Sequence, residues 1–115
     1  MKSTVAFRLR VYRGEGIAVG PGKIALLEAI AETGSISAAA RQLGMSYRRA
    51  WLLVDEVNRM LSAPAVHTAT GGAHGGGAAL TPLGEGLIKH YRAVESVARS
   101  AAAADIRALT RLLAR

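Results

Sequence analysis

The chain has 115 residues, half of them hydrophobic, which suits one small domain with an additional element and excludes two independent cores. Fifteen lysine and arginine residues stand against eight acidic residues, so the net charge is +7, and 12 of the 15 bases are arginine. A chain this basic is expected to associate with a polyanion, such as nucleic acid or an anionic membrane surface, unless the charge serves only solubility. The absence of cysteine excludes disulfide bonds, thiolate metal sites and thiol nucleophiles.

The first elements predicted along the chain are two short strands. Residues 5–11 alternate between apolar and more polar side chains, with the period of two that a half-buried strand has. A Gly-Glu-Gly turn at residues 14–16 leads into a short returning strand at residues 17–19, which Gly-Pro-Gly ends. This segment has charged residues where a signal peptide needs an apolar stretch. No run in the sequence approaches the roughly 18 apolar residues of a membrane span. We therefore expect a soluble protein without a membrane partner.

Two helices are predicted next. Residues 23–33 place apolar side chains on one face, and Gly34 ends that helix. A short alanine-rich helix follows near residues 37–43, with either Ser35 or Ser37 as its N-terminal cap. Its small side chains allow a neighbouring helix to cross closely.

A tight turn leads into a third helix. Gly44 supplies the turn, because a left-handed backbone costs least in glycine. Ser46 caps the third helix, whose apolar residues again form one stripe. Pro64 disfavours helical backbone at the residue before it, so this helix is predicted to end near Ser62.

The rest of the chain predicts a hairpin and a long helix. Residues 65–70 and 78–80 are extended segments, joined by a glycine-rich tip at residues 71–77. Thr81 caps the last helix and Pro82 takes its first position, where a missing N–H costs nothing. The helix is predicted to continue toward the C-terminus.

This order of elements is that of a winged helix-turn-helix, so the predicted fold class is α+β and mainly α. Residues 1–81 form the predicted winged helix-turn-helix domain, with the wing at about residues 65–81, and residues 82–115 form a C-terminal dimerisation helix. The apolar stripe of that helix is too long for so small a body to cover, so we expect pairing with a second copy; folding back on its own domain is the alternative. The predicted dimer contacts are Leu87, Tyr91, Val94, Ala98, Ile106, Leu109 and Leu113.

The start of the third helix has the pattern of a DNA-reading helix. A helical wheel turns its N-terminal side chains outward, and a recognition helix enters the major groove N-terminus first. Arg48 is the predicted bidentate contact to guanine, whereas Arg49 and Ser46, with the helix amides, are predicted to hold phosphate. The predicted DNA-binding residues are Ser37, Arg41, Ser46, Tyr47, Arg48, Arg49, Trp51 and His74.

Three of these residues keep a second interpretation. Tyr47 and Trp51 either contact DNA or pack at the edge of the core, and a lone tryptophan on a helix is more often partly buried. His74 meets phosphate if the glycine-rich tip approaches the duplex, and otherwise contacts nothing.

No pattern in the sequence favours catalysis, a metal or a cofactor. His67, His74 and His90 lack the spacing of metal ligands, and no Ser-His-Asp order has supporting turns. The glycine-rich tip lacks the Gly-Lys-Ser/Thr ending of a nucleotide-binding loop. We therefore predict a protein that is not an enzyme and has no cofactor.

Several segments of the sequence resemble those of a known family. The segments Gly-Pro-Gly-Lys-Ile at residues 20–24, Thr-Gly-Ser-Ile-Ser-Ala-Ala-Ala at residues 33–40, Leu-Gly-Met-Ser-Tyr-Arg-Arg-Ala-Trp at residues 43–51 and Ala-Leu-Thr-Pro-Leu-Gly at residues 79–84 are similar to the N-terminal DNA-binding domain of molybdate-responsive (ModE-type) regulators, and more distantly to LysR-type regulators. The resemblance covers roughly residues 5–95. It implies a winged-helix dimer on a palindromic operator, joined through the N-terminal strand region and the long C-terminal helix.

One departure from that family bears on sensing. Full-length members carry a C-terminal oxyanion-binding region, and this sequence has no residues onto which molybdate ligands can be carried over. We expect either a single-domain member of the family or a fragment of a longer one.

The sequence thus predicts a sequence-specific regulator of transcription that binds double-stranded DNA as a homodimer in the bacterial cytoplasm, associated with the nucleoid. Any small-molecule effector is unknown. Two alternatives stay open: a protein-interaction module that uses the long C-terminal helix, and a nonspecific nucleoid-type DNA binder. The salt dependence of binding distinguishes the interaction module from a DNA-binding protein. Competition between operator and random DNA distinguishes the nonspecific binder from a sequence-specific regulator.

Overall fold

Helices and short antiparallel strand pairs follow one another in a computed structural model that describes residues 2–69 and 77–114. The elements are β1 (Val11–Arg13), β2 (Gly16–Val19), α1 (Pro21–Thr33), α2 (Ile36–Leu43), α3 (Tyr47–Met60), β3 (Val66–Ala69), β4 (Gly77–Leu80), α4 (Pro82–Ala101) and α5 (Ala103–Thr110). Strand β1 pairs with β2, and β3 pairs with β4. This is the predicted winged helix-turn-helix, α+β and mainly helical.

The hydrophobic core forms around α1. Ile24, Leu26, Leu27 and Ile30 of this helix are all 1% exposed or less, so α1 is covered on most of its surface. Helices α2 and α3 and the β3–β4 pair contribute the other members of the main core cluster. A helix buried this fully gives the exposed elements around it a fixed support.

Capping residues set the helix-turn-helix as the sequence predicts. Ser35, rather than Ser37, caps α2: its Oγ accepts the Ala38 N–H at 2.9 Å. Ser46 Oγ accepts the Arg49 N–H at 3.1 Å at the start of α3. Gly44 ends α2 in the left-handed conformation, with φ at 69°, which turns the chain into α3.

The β3–β4 hairpin lies where the wing is predicted. The Ala78 N–H donates to the Gly34 carbonyl at 2.9 Å, which attaches β4 to the turn between α1 and α2. The tip between the strands, with His74, lies outside the described residues.

The predicted strand over residues 5–11 is wrong as a strand. Ladder pairing begins only at Val11, and residues 2–10 form no regular element. This segment, called the N-terminal strap below, runs antiparallel along α4: the Tyr91 hydroxyl donates to the Leu9 carbonyl at 2.7 Å, and Arg99 Nη1 donates to the Val5 carbonyl at 3.1 Å. Val5, Phe7 and Leu9 are half-buried while the residues between them are exposed. The alternation is therefore real, but one side of the extended chain packs on a helix instead of joining a sheet.

The last predicted helix is interrupted. Helix α4 ends at Ala101, Ala102 departs from helical geometry with φ −96° and ψ 6°, and α5 follows. The alanine run of residues 101–104 contains the break, and no proline or glycine accounts for it. None of the helices described is long and apolar enough to cross a lipid bilayer.

Candidate nucleic-acid interface

Helix α3 presents its N-terminal turn to solvent. Ala50, Val54 and Val57 are buried against the core, and this stripe fixes which side of the helix faces outward. Tyr47 and Trp51 are 55% and 44% exposed, and Arg48 and Arg49 are also exposed. The structure therefore brings Ser46, Tyr47, Arg48, Arg49 and Trp51 together on one accessible turn.

Trp51 and Tyr47 lie outside both clusters of buried side chains. Leu52, which the sequence analysis does not single out, is 56% exposed beside them. Tyr47 and Trp51 are four residues apart and share one side of α3, whereas Leu52 lies with Arg48 on the outward face. Apolar contact is one of the ways in which protein side chains recognise the thymine methyl group.

The remaining described DNA-binding candidates lie on α2. Ser37 and Arg41 are both exposed and are four residues apart, so they share one face of this helix. Arg41 is in the last turn, immediately before the Gly44 turn that leads into α3. His74 of the predicted set lies outside the described residues.

The charges of α3 divide along its length. Asp55 is paired with Arg59, with 3.0 Å between carboxylate oxygen and guanidinium nitrogen, and Glu56 is paired with Lys23 of α1. Among the described residues, the guanidinium groups of Arg48 and Arg49 take part in no ion pair. The acidic half of α3 is neutralised, whereas its N-terminal half keeps its positive charge.

Lys23 is a positioning residue that the sequence analysis misses. It is 7% exposed, and its Nζ donates to the Ile17 carbonyl and to the Glu56 carboxylate, which ties α1, β2 and α3 together. Its place on the apolar stripe of α1, four residues before Leu27 and seven before Ile30, is the signal that marks it as buried.

Asn58 fixes the wing to α3. Its Oδ1 accepts the N–H groups of Ala65 and Val66 at 2.8 and 3.1 Å, and its Nδ2 donates to the Val66 carbonyl at 3.1 Å. All of these bonds join the far end of α3 to the start of β3. The wing strands and the exposed turn of α3 are thereby held in one orientation.

Helix α4 is tied to α1 by Arg92. Its guanidinium donates to both carboxylate oxygens of Glu28, at 3.0 and 2.5 Å, and to Glu95 at 2.6 Å. These bonds raise the pKa of Arg92 above its already high value, so its charge is permanent.

The predicted dimer residues fall into two groups. Tyr91 is 4% exposed in a second core cluster, and Leu87 packs against both clusters, so these two side chains are used within their own chain. The expectation that Tyr91 faces a second copy is wrong, because the strap covers it; this burial also raises the pKa of its hydroxyl, with a smaller contribution from the Glu95 carboxylate. Val94, Leu109 and Leu113 are 51%, 64% and 58% exposed. Ala98 and Ile106 are half-buried.

The described part of the chain brings together no group of three or more histidine, aspartate or glutamate side chains that could hold a metal ion.

Comparison with known proteins places this geometry in a family. The bacterial regulatory helix-turn-helix proteins of the lysR family match residues 22–85, from α1 to the start of α4. This chain belongs to that family. The matched residues include α2, the Gly44 turn, α3 with its exposed N-terminal turn, and the β3–β4 pair.

Curated relatives of this LysR-type chain agree with the resemblance to ModE-type regulators. The molybdenum-pterin-binding protein MopB of Rhodobacter capsulatus is 54% identical over 81 residues, which cover 70% of this chain and 30% of MopB. The DNA-binding transcriptional dual regulator ModE of Escherichia coli K12 is 42% identical over 81 residues, which cover 70% of this chain and 31% of that protein. The molybdenum transport protein ModE of Azotobacter vinelandii is 41% identical over 86 residues, which cover 75% of this chain and 32% of that protein. The chain thus matches about a third of the length of each relative.

Proposed function

We propose that this LysR-type chain is a transcriptional regulator that binds double-stranded DNA and reads a specific sequence with α3. The observation that carries the proposal is the capped N-terminal turn of α3, which exposes Arg48 and Arg49 without acidic partners in the described chain. A recognition helix enters the major groove with this end, where side chains reach base edges. The name of the E. coli relative, a DNA-binding transcriptional regulator, supports the same function.

The residues of this turn take distinct parts in the proposed contact. Arg48 points away from the buried stripe, and its fork matches the N7 and O6 acceptors of guanine. Arg49 and Ser46 lie toward the edge of the groove and hold phosphates, together with the amides of the first turn of α3. Trp51 and Leu52 supply apolar contact.

The regulator acts as a homodimer on a palindromic operator in this proposal. Two recognition helices must lie about one helical turn of DNA apart, roughly 34 Å, to enter successive major grooves on one face. The exposed apolar side chains of α4, α5 and the residues that follow α5 give a second copy a surface to cover. These side chains are Val94, Val97, Leu109, Leu112 and Leu113.

The same apolar surface favours a second candidate function, a module that docks on a different protein through α4 and α5. In that case the positive charge of α3 serves only solubility. The two functions differ in the chemistry of the interaction, because DNA binding releases counterions and apolar docking does not.

Salt titration tests the proposal. We expect the full chain to bind a fluorescein-labelled duplex with an affinity that falls linearly in log–log form with salt, with a slope of about −0.9 for every phosphate it neutralises. An excess of unlabelled random duplex should compete less well than an unlabelled duplex whose sequence the chain has selected from a random pool. No binding at low salt, or an affinity that salt leaves unchanged, contradicts DNA binding and favours the docking module.

A further inference from the structure

A second basic site lies beside α3, formed largely by residues that the helix-turn-helix does not include. The strap and the start of α1 border an open cavity of about 330 Å³ on one flank of α3. The charged residues that line it are Arg8, Arg10, Lys23, Arg49 and Glu56.

The cavity carries an excess of positive charge. Lys23 and Glu56 neutralise each other in an ion pair. Arg8, Arg10 and Arg49 take part in no ion pair among the described residues, so three arginines without a carboxylate partner line one space. The guanidinium fork of arginine binds phosphate in a bidentate manner, so this excess of positive charge suits an anion.

Local structure explains why both strap arginines point to this cavity. Val5, Phe7 and Leu9 face α4 in the extended strap, so the side chains of Arg8 and Arg10 emerge on the opposite side. The bond from Tyr91 to the Leu9 carbonyl holds the strap at the point between these two arginines. The arginines therefore belong to a held segment rather than to a free terminus.

The position of the cavity on α3 shows what it faces. Arg49, Leu53 and Glu56 border it and form one flank of the helix, at positions i, i+4 and i+7. Asn58, which holds the wing, lies on the other flank. Between the two flanks lies the outward face with Arg48 and Leu52, which borders a neighbouring depression with Ser46 and Arg49.

A helix of about 10–12 Å diameter with side chains fills a major groove about 12 Å wide, so its two flanks face the two phosphate backbones that form the groove walls. The wing is placed at one wall. The arginine cavity is placed at the other wall, where Arg8 and Arg10 add to the phosphate contacts that Arg49 and the start of α3 offer.

We propose that Arg8, Arg10 and Arg49 form a binding site for a backbone phosphate of the bound duplex, on the side of α3 opposite the wing. This inference rests on the proposed DNA-binding function and extends the contact surface to the N-terminal strap. The ligand chemistry is a phosphate oxyanion, and its source is the phosphodiester backbone. Because a phosphate carries no sequence information, the site adds affinity and fixes register without changing base preference.

The test compares two double variants of the full chain. Arg8→Gln with Arg10→Gln removes two charges from the cavity, and Lys2→Gln with Lys89→Gln removes two exposed charges that do not line it. Fluorescence anisotropy with a labelled duplex of about 20 base pairs, two helical turns, measures affinity over a salt series. We expect the cavity variant to bind roughly tenfold more weakly or worse at moderate salt, with a slope shallower by about 0.9 for every phosphate lost. The ratio of affinities for selected and scrambled duplex should stay unchanged, and the lysine variant should resemble the wild type more closely.

Two results separate this inference from the proposed function. If the wild type binds duplex with a steep salt dependence and the two double variants lose affinity and slope equally, the cavity holds no phosphate and DNA binding by α3 stands. If the wild type binds no duplex, both the function and the site are wrong.

A second measurement locates the contacted phosphate on the duplex and compares the wild type with both double variants. Single methylphosphonate substitutions neutralise one backbone phosphate at a time. We expect at least one position that weakens binding by the wild type and by the lysine variant but has no further effect on the cavity variant. Binding of inorganic phosphate to the wild type that is lost in the cavity variant, with no such methylphosphonate position, would show a small-anion site and overturn the assignment to DNA.

Discussion

Arg48 is the side chain to which we assign the contact with guanine that reads the DNA sequence. It lies in the first turn of α3, it is exposed, and the Ser46 cap fixes the backbone on which it stands. Arg49 follows directly but lines the strap cavity, so in the proposed complex the two neighbouring arginines contact different parts of the duplex. Adjacent residues on a helix are about 100° apart, which makes this division possible.

Replacing Arg48 with alanine should therefore change preference as well as affinity. We expect Arg48→Ala to weaken binding to a preferred duplex by about 1–3 kcal/mol and to reduce the difference between preferred and scrambled duplex. Arg107→Ala, which removes the same charge from exposed α5, is the matched control and should keep the preference. Competition mobility-shift titrations measure both quantities; full affinity and full preference in Arg48→Ala would place the reading residue elsewhere.

Asn58 and Lys23 show what a single sequence hides at the residue scale. The apolar stripe of α1 indicates that Lys23 is buried, but neither residue's bonding partners can be read from the sequence, because those partners lie outside its own helix. Asn58 bonds to backbone groups at the start of β3, and no local sequence pattern predicts these bonds. Capping residues such as Ser46 were predictable because their partner is three residues away.

At the scale of elements, the base of the wing is closely packed on α4. The Thr81 hydroxyl donates to the Pro64 carbonyl at 2.8 Å and accepts the Gly84 N–H at 3.0 Å. A side-chain carbon at Gly84 would lie 2.3 Å from the Ala65 carbonyl oxygen. The added carbon would meet the backbone of Ala65, so no change of side-chain rotamer could relieve the clash.

Gly84→Ala and Gly86→Ala form a matched pair that tests this contact. Gly84→Ala should lower the free energy of unfolding by about 1–3 kcal/mol, because α4 must move off the wing base. At Gly86 no described atom lies within 4 Å of the added carbon, so Gly86→Ala should be neutral or stabilise α4 by up to about 1 kcal/mol. Urea unfolding followed by circular dichroism measures both. Equal effects from the two substitutions would mean that α4 does not dock as closely as described.

Element types and order were predictable from the sequence, because caps, glycine turns and apolar periods are local signals. The sequence alternation in the strap was also readable, but its partner was not. An alternation with a period of two indicates an extended chain that is covered on one side. The pattern is the same whether a neighbouring sheet or a helix covers that side. The break at Ala102 had no local signal beyond the alanine run.

At the scale of the whole molecule, the chain is longer than a globular domain of its size. Its radius of gyration is 16.9 Å and its extents are 56 × 31 × 24 Å, against about 13 Å for a compact chain of this length. The extension comes with α4, α5 and the residues after α5, where Leu109 and Leu113 are exposed. The exposed apolar side chains of this extended part are the surface on which the proposed pairing with a second copy rests.

Affinity selection of duplexes from a random pool by the full chain tests directly whether α3 reads DNA in pairs. We expect the selected sequences to share an inverted repeat that contains guanine, with half-site centres about 10 base pairs apart, because two α3 helices enter successive major grooves. The variant Leu109→Glu with Leu113→Glu should recover single half-sites with much weaker enrichment. A wild-type pool without enrichment, or one enriched in a single unrepeated site, would contradict a dimer that reads sequence through α3.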